Sequence, residues 1–229
     1  MSYKTIIVQK SSPHIGAEIG GVDLTSPLTD NEVEEIRSAV NEFGVVFIRN
    51  QKMDPESQDQ FVRYFGESHV HVGGKSTASK PVDGYPALRK QHFNENSSRI
   101  SGEAWHTDQS CAEVPPKYSI LYQEIIPPDG GGNTMFLSAA KAYEELSEGM
   151  KDYLKGKTAT HTADAAFDAS VTRVNEETHL IAEHPVVTKH PENGREVLYV
   201  NPYFTRRIND VPEDESRCIL DFLYQHQQR

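Results

Sequence analysis

The sequence predicts a mainly β fold with peripheral helices, in the form of an antiparallel β-sandwich or a jelly roll. Three observations favour this class: short apolar runs bounded by Gly or Pro, few segments with helical spacing, and long stretches without any period. The chain has 229 residues, of which 36% are hydrophobic, and this is enough for one domain with a sizeable core. We therefore expect a single domain over residues 1–229.

The first elements are a strand and a capped helix. Residues 5–8 predict a short strand, and the glycines that follow it indicate a strand-turn-strand opening. Thr29 and Glu32 then have the spacing of a capping box, in which each side chain binds a free N–H at the start of a helix. Apolar residues recur at helical spacing after this point, and Gly44 is expected to end the helix.

A buried strand, a second helix and a long loop are expected next. Residues 45–48 are all apolar, as in a buried strand, and Pro55 is well suited to the first position of a helix. Residues 66–100 are rich in Gly, Ser and Pro and carry several histidines. Because long loops in compact domains often contribute to binding or catalysis, this stretch is a candidate functional segment.

The middle of the chain is expected to supply core strands. Residues 105–110 indicate extended backbone, and residues 118–126 are rich in the Tyr, Ile and Leu that strands favour. After a Pro- and Gly-rich turn, residues 134–137 predict another strand. Two short helices are predicted between Ser138 and Leu154.

The last third combines an irregular excursion, a hairpin and a helix. Residues 157–183 show little periodicity, so we expect a lid-like excursion there. Residues 184–189 and 195–200 flank an Asn-Gly turn and predict a β-hairpin. Residues 213–225 have the apolar spacing of an amphipathic helix.

Composition limits the classes of partner and the compartment. The formal net charge is −11, and no basic cluster is present to meet phosphates, so neither a nucleic acid nor an anionic membrane is expected as a partner. No segment is apolar enough for a signal peptide or a membrane span, and the two cysteines suggest no disulfide framework. We expect a cytoplasmic protein that acts on a small molecule; a homo-oligomer remains open.

One imidazole and one carboxylate form a candidate metal site. His106 and Asp108 are two residues apart, and on an extended strand such side chains point to the same face. With a second histidine they would form the facial triad of a non-haem Fe(II) oxygenase. The pattern alone is weak, since a similar pair, His190 and Glu192, occurs in the predicted hairpin turn.

Several segments together resemble the taurine dioxygenase/TfdA-like family of Fe(II)- and 2-oxoglutarate-dependent dioxygenases. Trp-His-Thr-Asp at 105–108 and Gly-Gly-Asn-Thr at 131–134, in this order, are the specific elements. Further matching segments lie at 20–24, 44–49, 184–187, 198–201 and 204–208. The resemblance implies a double-stranded β-helix (jelly roll) that binds Fe(II), takes 2-oxoglutarate and O2 as cosubstrates, and hydroxylates a C–H bond of a small, anionic substrate with release of succinate and CO2.

The resemblance also implies roles for individual residues. His106 and Asp108 would be iron ligands, and Thr134 would hydrogen-bond a carboxylate of 2-oxoglutarate. Three residues would contact the substrate: His71, Gln109 and Phe204. From the residues alone, the alternatives are an ordinary strand threonine after a glycine turn for Thr134 and a core phenylalanine for Phe204. Sulfonate-specific members carry a tyrosine where this chain has Gly74 and an asparagine where it has Gly102, so taurine is not the expected substrate.

The family's distal histidine ligand has no counterpart in the 229 residues, and neither does the arginine that pairs with 2-oxoglutarate. We therefore expect a C-terminally shortened member whose last strands are missing. Two protein ligands would hold Fe(II) weakly. The alternative function is a catalytically inactive remnant or binding module of the same fold. A zinc hydrolase is a third alternative, but no His-Glu-x-x-His spacing supports it.

Overall fold

A computed structural model describes residues 3–69, 79–97, 102–163 and 180–229. The chain divides into two compact units, one of Met1–Ser68 with Tyr118–Ser138 and the other of His69–Lys117 with Ala139–Arg229. Ten of the fifteen helices and strands in the described residues are strands, arranged in four sheets of which none closes on itself. The mainly β architecture is thereby confirmed.

The first unit contains a three-stranded sheet and two helices. In chain order its elements are β1 (Ile7–Lys10), β2 (Ala17–Gly20), α1 (Asp30–Phe43), β3 (Val46–Ile48) and α2 (Pro55–Arg63). Strand β2 lies in the centre, antiparallel to β1 and parallel to β3. The buried apolar side chains of this unit are those of Ile6, Ile19, Leu24, Ile36, Ala39 and Phe61.

Both helices of the first unit begin as the sequence predicts. The side chain of Thr29 accepts a hydrogen bond from the Glu32 amide, and the Glu32 carboxylate accepts one from the Thr29 amide. Gly44 ends α1 with a φ of 76°, a conformation that favours glycine. Pro55 occupies the first turn of α2, and Asp54 caps it. Each cap contributes about 1 kcal/mol.

The second unit contains seven strands and three helices in the described residues. In chain order they are β4 (Ser79–Val82), β5 (Tyr85–Gln91), α3 (Ala139–Glu144), α4 (Glu148–Leu154), β6 (Thr158–Thr162), β7 (Ile181–Pro185), β8 (Val187–Lys189), β9 (Glu196–Leu198), β10 (Thr205–Ile208) and α5 (Glu213–Gln227). Strand β6 lies between β7 and β10, antiparallel to both. The main core joins this sheet to the helices through Leu146, Leu154, Ala159, Val186, Leu198, Val200, Ile208, Leu220 and Leu223.

The predicted hairpin and the last helix are confirmed. β8 and β9 pair antiparallel, and Gly194 in the turn has a φ of 69°. The hairpin is shorter than predicted, because His184 and Pro185 belong to β7. Helix α5 covers the predicted range and extends it to Gln227. None of the helices in the described ranges combines the length and the apolar character that a membrane span requires.

Two predicted core strands are wrong. Residues 118–126 and 134–137 form no strand, and Leu121, Ile125 and Met135 are more than 70% exposed. A strand needs a partner that completes its ladder of hydrogen bonds, and no described strand pairs with either segment. The predictions rested on the β propensity of apolar residues, and this propensity does not show whether a segment has a strand to pair with.

Two predicted irregular segments contain regular structure. The long loop at 66–100 includes the antiparallel hairpin of β4 and β5, which turns at Gly84 with a φ of 81°. The expected lid at 157–183 begins with β6, the central strand of its sheet, whereas residues 164–179 lie outside the described residues. In both places pairing with a neighbouring strand decides the structure, and pairing leaves little trace in sequence periodicity.

One carboxylate of α1 binds the N-terminal segment that leads into β1. The Glu35 side chain accepts hydrogen bonds from the amides of Lys4, Thr5 and Ile6, at 2.8, 2.9 and 3.1 Å, and from the Thr5 hydroxyl at 2.8 Å. Burial opposes ionisation of this carboxyl group, but the four hydrogen bonds outweigh it and lower the pKa of Glu35 to about 2. A charged Glu35 therefore stabilises the folded first unit.

Replacing Glu35 by Gln is expected to lower the urea midpoint of unfolding at pH 7. Because the folded-state pKa is depressed, the wild-type advantage is present above the ordinary pKa of 4.5 and is lost as the pH falls from there towards about 2. The gap between wild type and Glu35→Gln should therefore be smaller at pH 3 than at pH 7. The control is Glu34→Gln on the same helix, where the carboxylate pairs with Arg37 at 3.6 Å. A pH-independent gap, or an equal loss in the control, would contradict the assignment.

Candidate metal site

The predicted pair of His106 and Asp108 is brought together. The Nε2 atom of His106 lies 3.2 Å from Oδ1 of Asp108, and the two side chains are 27% and 49% exposed. On its other side, the His106 ring contacts the backbone oxygen of Ala104, which is 2.8 Å from Nδ1. Both nitrogens of the ring therefore have defined neighbours.

These contacts define which ring nitrogen is available. A carbonyl oxygen can only accept, so Nδ1 of His106 carries the proton and donates it to Ala104. In the neutral ring Nε2 is then a lone-pair donor directed at the Asp108 carboxylate. When Nε2 is also protonated the ring donates a hydrogen bond to Asp108, and this raises the pKa of His106, although burial opposes it. A shared proton or a divalent cation would satisfy the same two atoms, and imidazole with carboxylate is a typical non-haem iron donor set.

A turn begins at the second member of the pair, Asp108. Residues 105–110 were predicted as extended, but Asp108 and the residues after it form a turn. The Ala112 amide donates to the Gln109 oxygen at 2.9 Å, and Gln109 has a φ of 48°. A left-handed residue other than glycine costs roughly 1 kcal/mol or more, so the surrounding contacts must hold this turn.

Gly102 lies directly against the ring of His106. Its φ is 82°, and a Cβ atom built there would be 3.0 Å from Cε1 of His106. Any side chain at this position would make the imidazole move by a few tenths of an ångström. In this chain, the glycine that stands where sulfonate-specific family members carry asparagine therefore leaves room for the ring of His106.

Two aromatic residues contact the other side of His106. The ring centroids of Tyr203 and Phe204 lie 5.3 and 6.4 Å from that of His106. Phe204 is 5% exposed and belongs to a small buried cluster with Cys111 and Ala163. The structure therefore places Phe204 beside the pair, as expected of a site residue, and also within a core, as the alternative interpretation had it.

A buried polar network lies under the turn, and the sequence did not predict it. Ser110 and His161 are both 0% exposed. The hydroxyl oxygen of Ser110 is 3.0 Å from Nδ1 of His161 and accepts a hydrogen bond from Nδ2 of Asn201 at 3.1 Å. Thr205 lies next in the network, with its hydroxyl 3.3 Å from Nδ1 of His161. Burial lowers the pKa of His161 to about 4, and the nearby His184 and Arg206 act in the same direction, so this ring is neutral near pH 7.

A second histidine binds the end of the same turn. Nε2 of His184, on β7, donates to the backbone oxygen of Ala112 at 3.0 Å. The rings of His161 and His184 are 5.3 Å apart, and Tyr199 packs against both. The turn after His106 is therefore bound by side chains of two neighbouring strands, His161 of β6 and His184 of β7.

The other predicted site residues are not all in this cluster. Gln109 lies in the turn, with its side-chain oxygen 3.3 Å from Nε2 of His69. Thr134 is an exposed residue of the first unit, and His71 lies outside the described residues. Glu192, from the similar pair in the hairpin turn, forms an ion pair with Lys117. Within the described ranges no group of three His, Cys, Asp or Glu residues is positioned to hold a metal ion.

Two sequence signals could have indicated the buried network. Residues 158–162 alternate Thr with Ala or His, which is a strand pattern, and it would have placed His161 inside a sheet. Ser110 directly follows the Trp-His-Thr-Asp segment and Gln109. What no local pattern contains is the contact between Ser110 and His161, which are 51 residues apart.

Comparisons with known proteins agree on one family. The model of the taurine catabolism dioxygenase TauD, TfdA family matches residues 8–229. The alpha-ketoglutarate-dependent sulfonate dioxygenase of Saccharomyces cerevisiae is 33% identical over 95% of this chain. A crystal structure of a taurine dioxygenase from Burkholderia xenovorans shares 34% identity and a TM-score of 0.79 over 99% of this chain and 74% of its own. The structure of AAD-2 in complex with Mn(II) and N-oxalylglycine gives a TM-score of 0.82 at 25% identity, covering 99% of this chain and 82% of its own.

The chain spans only about half the length of the yeast relative, of which it covers 54%. A family match over residues 8–229 nevertheless includes both members of the pair and the turn that begins at Asp108. The comparisons thus bear on the family and on the fold, whereas the site residues rest on the geometry described above.

The buried neutral His161 should make the stability of the second unit pH-dependent. Because burial depresses its folded-state pKa to about 4, the stabilisation is complete above the ordinary pKa of about 6.5 and is lost as the pH falls through 4. The wild type should lose on the order of 3 kcal/mol more than His161→Asn between pH 7 and pH 4. Urea unfolding followed by circular dichroism at several pH values measures this difference, and parallel pH profiles of the two proteins would refute it.

Proposed function

The chain belongs to the taurine catabolism dioxygenase TauD, TfdA family, and from this membership we propose that it is the iron-binding part of an Fe(II)- and 2-oxoglutarate-dependent dioxygenase with a jelly-roll fold. The observation that supports this most directly is the approach of His106 Nε2 to Asp108 Oδ1 at 3.2 Å. We propose these two atoms as metal ligands. The further ligand that a facial triad needs is not among the described residues.

The residues present suit Fe(II) in their chemistry. His106 offers a neutral nitrogen, because its other nitrogen donates to Ala104, and Asp108 offers an anionic oxygen. A ligand histidine that donates its second N–H to a carbonyl is the usual arrangement, since this contact fixes the tautomer and orients the ring. When bound with 2-oxoglutarate, iron supplies the oxidising chemistry.

The proposed overall reaction consumes one molecule each of substrate, 2-oxoglutarate and O2. It inserts one oxygen atom into a substrate C–H bond and leaves the other in succinate, with release of CO2. In this proposal Thr134 binds a carboxylate of 2-oxoglutarate, and His71, Gln109 and Phe204 contact the substrate. The aromatic rings of Phe204 and Tyr203 would keep water away from the His106 side of the metal.

We propose a small organic anion as the substrate. The relatives support this class through their names, one a sulfonate dioxygenase and one a taurine dioxygenase. Gly74 and Gly102 replace the tyrosine and the asparagine that sulfonate-specific members carry, so we do not propose taurine itself. A single domain in the reducing cytoplasm fits the two free cysteines, Cys111 and Cys218.

The proposal predicts that divalent metal binding depends on both members of the pair. Anaerobic addition of Fe(II) and 2-oxoglutarate to the wild type should produce a visible charge-transfer band, and His106→Ala and Asp108→Ala should abolish it. The matched control is His190→Ala, which removes a histidine two residues from a carboxylate in the hairpin turn and should retain the band. A wild type that binds no metal, or a band that survives in both site variants, would show that the assignment is wrong.

A second candidate is a binding module that keeps the fold without turnover. It is favoured by the lack of a third ligand in the part of the chain that is described. Succinate formation from 2-oxoglutarate under O2 separates the two candidates, because only the dioxygenase produces it. Metal binding at the pair without any succinate, in the presence and absence of small sulfonates, sulfate esters and carboxylates, would favour the module.

A further inference from the structure

We propose that Ser110, His161 and Asn201 form a positioning network that fixes the turn after His106 and thereby holds the Asp108 carboxylate against His106 Nε2. This inference rests on the proposed function, since it concerns how the same metal pair is held. The contacts on which the inference rests join Ser110 to His161 and Asn201, so these residues act through the backbone of the turn. Their chemistry is to orient a ligand, not to bind the metal or the substrate.

The turn itself requires such support. Asp108 is followed by Gln109 in the left-handed region, with a φ of 48°, and this conformation is unfavourable for a residue with a side chain. The hydrogen bond that spans Thr107 and Ser110 is long, at 3.4 Å. This bond restrains the turn less than the 2.9 Å bond from the Ala112 amide to the Gln109 oxygen, so the direction of Asp108 depends also on what holds the far end of the turn.

Ser110 is the point at which the turn is held. Its side chain is 0% exposed, and it lies two residues after Asp108. Its oxygen contacts Nδ1 of His161 at 3.0 Å and Nδ2 of Asn201 at 3.1 Å. Two hydrogen bonds from different elements restrict both the position and the rotation of this side chain. The backbone of the turn must follow it.

Asn201 joins the turn to the loop that contacts His106. Its side-chain oxygen accepts a hydrogen bond from the backbone amide of Phe204 at 2.8 Å, and its backbone amide donates to the Thr205 hydroxyl at 2.9 Å. The same loop presents Tyr203 and Phe204 to the imidazole of His106. The network therefore sets the distance between the surface that supports His106 and the turn that carries Asp108.

His161 connects this arrangement to the three-stranded sheet. It lies on β6, where it is paired with Ala182 of β7 and Thr205 of β10. Apolar side chains could fill this space at lower desolvation cost, because each buried polar group must regain the hydrogen bonds that it loses in water. The cost of burying these polar side chains is explained if they are needed to fix the position of the turn that carries Asp108.

The test measures metal affinity, with Co(II) as a coloured substitute for Fe(II). Ser110→Ala removes the hydroxyl, and His161→Leu removes the ring nitrogen while keeping an apolar side chain of comparable size. His161→Asn keeps a polar atom near the position of Nδ1 and serves as the rescue variant. Loss of an outer-sphere contact typically weakens metal binding 10- to 100-fold, so Ser110→Ala and His161→Leu should each raise the Co(II) dissociation constant at least about tenfold, and His161→Asn by much less.

The control is Ser216→Ala, the same substitution at another buried serine. Ser216 is 2% exposed and accepts a hydrogen bond from the Ile208 amide at 2.8 Å, but it lies on α5, away from the turn. Its loss should lower the urea midpoint and leave the Co(II) dissociation constant within about twofold of wild type. A purely structural role for Ser110 predicts the same result for both serines.

The outcomes separate the two proposals. If the wild type binds no Co(II), or if His106→Ala binds it equally well, the proposed function fails and the network with it. If the wild type binds through His106 while Ser110→Ala keeps wild-type affinity, only the network is refuted. Equal losses in His161→Leu and His161→Asn would also refute it, and this comparison decides the matter if Ser110→Ala does not fold.

Discussion

A hydrogen bond from Nδ1 of His106 to the backbone oxygen of Ala104 determines the chemistry of the candidate site. It places the proton on the far side of the ring and leaves the lone pair of Nε2 facing Asp108. Without this contact the other tautomer would direct an N–H at the carboxylate, and the imidazole would donate a hydrogen bond to Asp108 with no lone pair left on Nε2 for a metal. This ring is kept in place by the turn, by its aromatic neighbours and by the close approach of Gly102.

The elements that the sequence identified are those whose causes are local. The caps at Thr29 and Asp54 and the Asn-Gly hairpin turn depend on residues within a few positions of one another, and each is present in the structure. The errors occur where pairing between distant segments decides. Strand β6 looked irregular in sequence, yet β7 and β10 bind both of its edges, whereas residues 118–126 looked like a strand and pair with no described strand.

The same division runs through the candidate site. His106 and Asp108 were found from their spacing and from the family resemblance. The extended backbone predicted for residues 105–110 is interrupted at Asp108, where a turn that contains a left-handed Gln109 begins. Such a turn is invisible to a rule based on strand periodicity, and its supports are separated from it by 51 residues at His161 and 91 at Asn201.

Gly102 illustrates how a position without functional groups can restrict a site. Since a Cβ atom there would lie 3.0 Å from Cε1 of His106, any of the other nineteen amino acids would make the ring shift by a few tenths of an ångström. A saturation library screened for metal-dependent function would therefore show reduced tolerance at this position, although no ligand role is assigned to it. In such a library, intolerance at residue 102 would reflect the space that the ring of His106 occupies. The chemical role would then belong to His106 and not to Gly102.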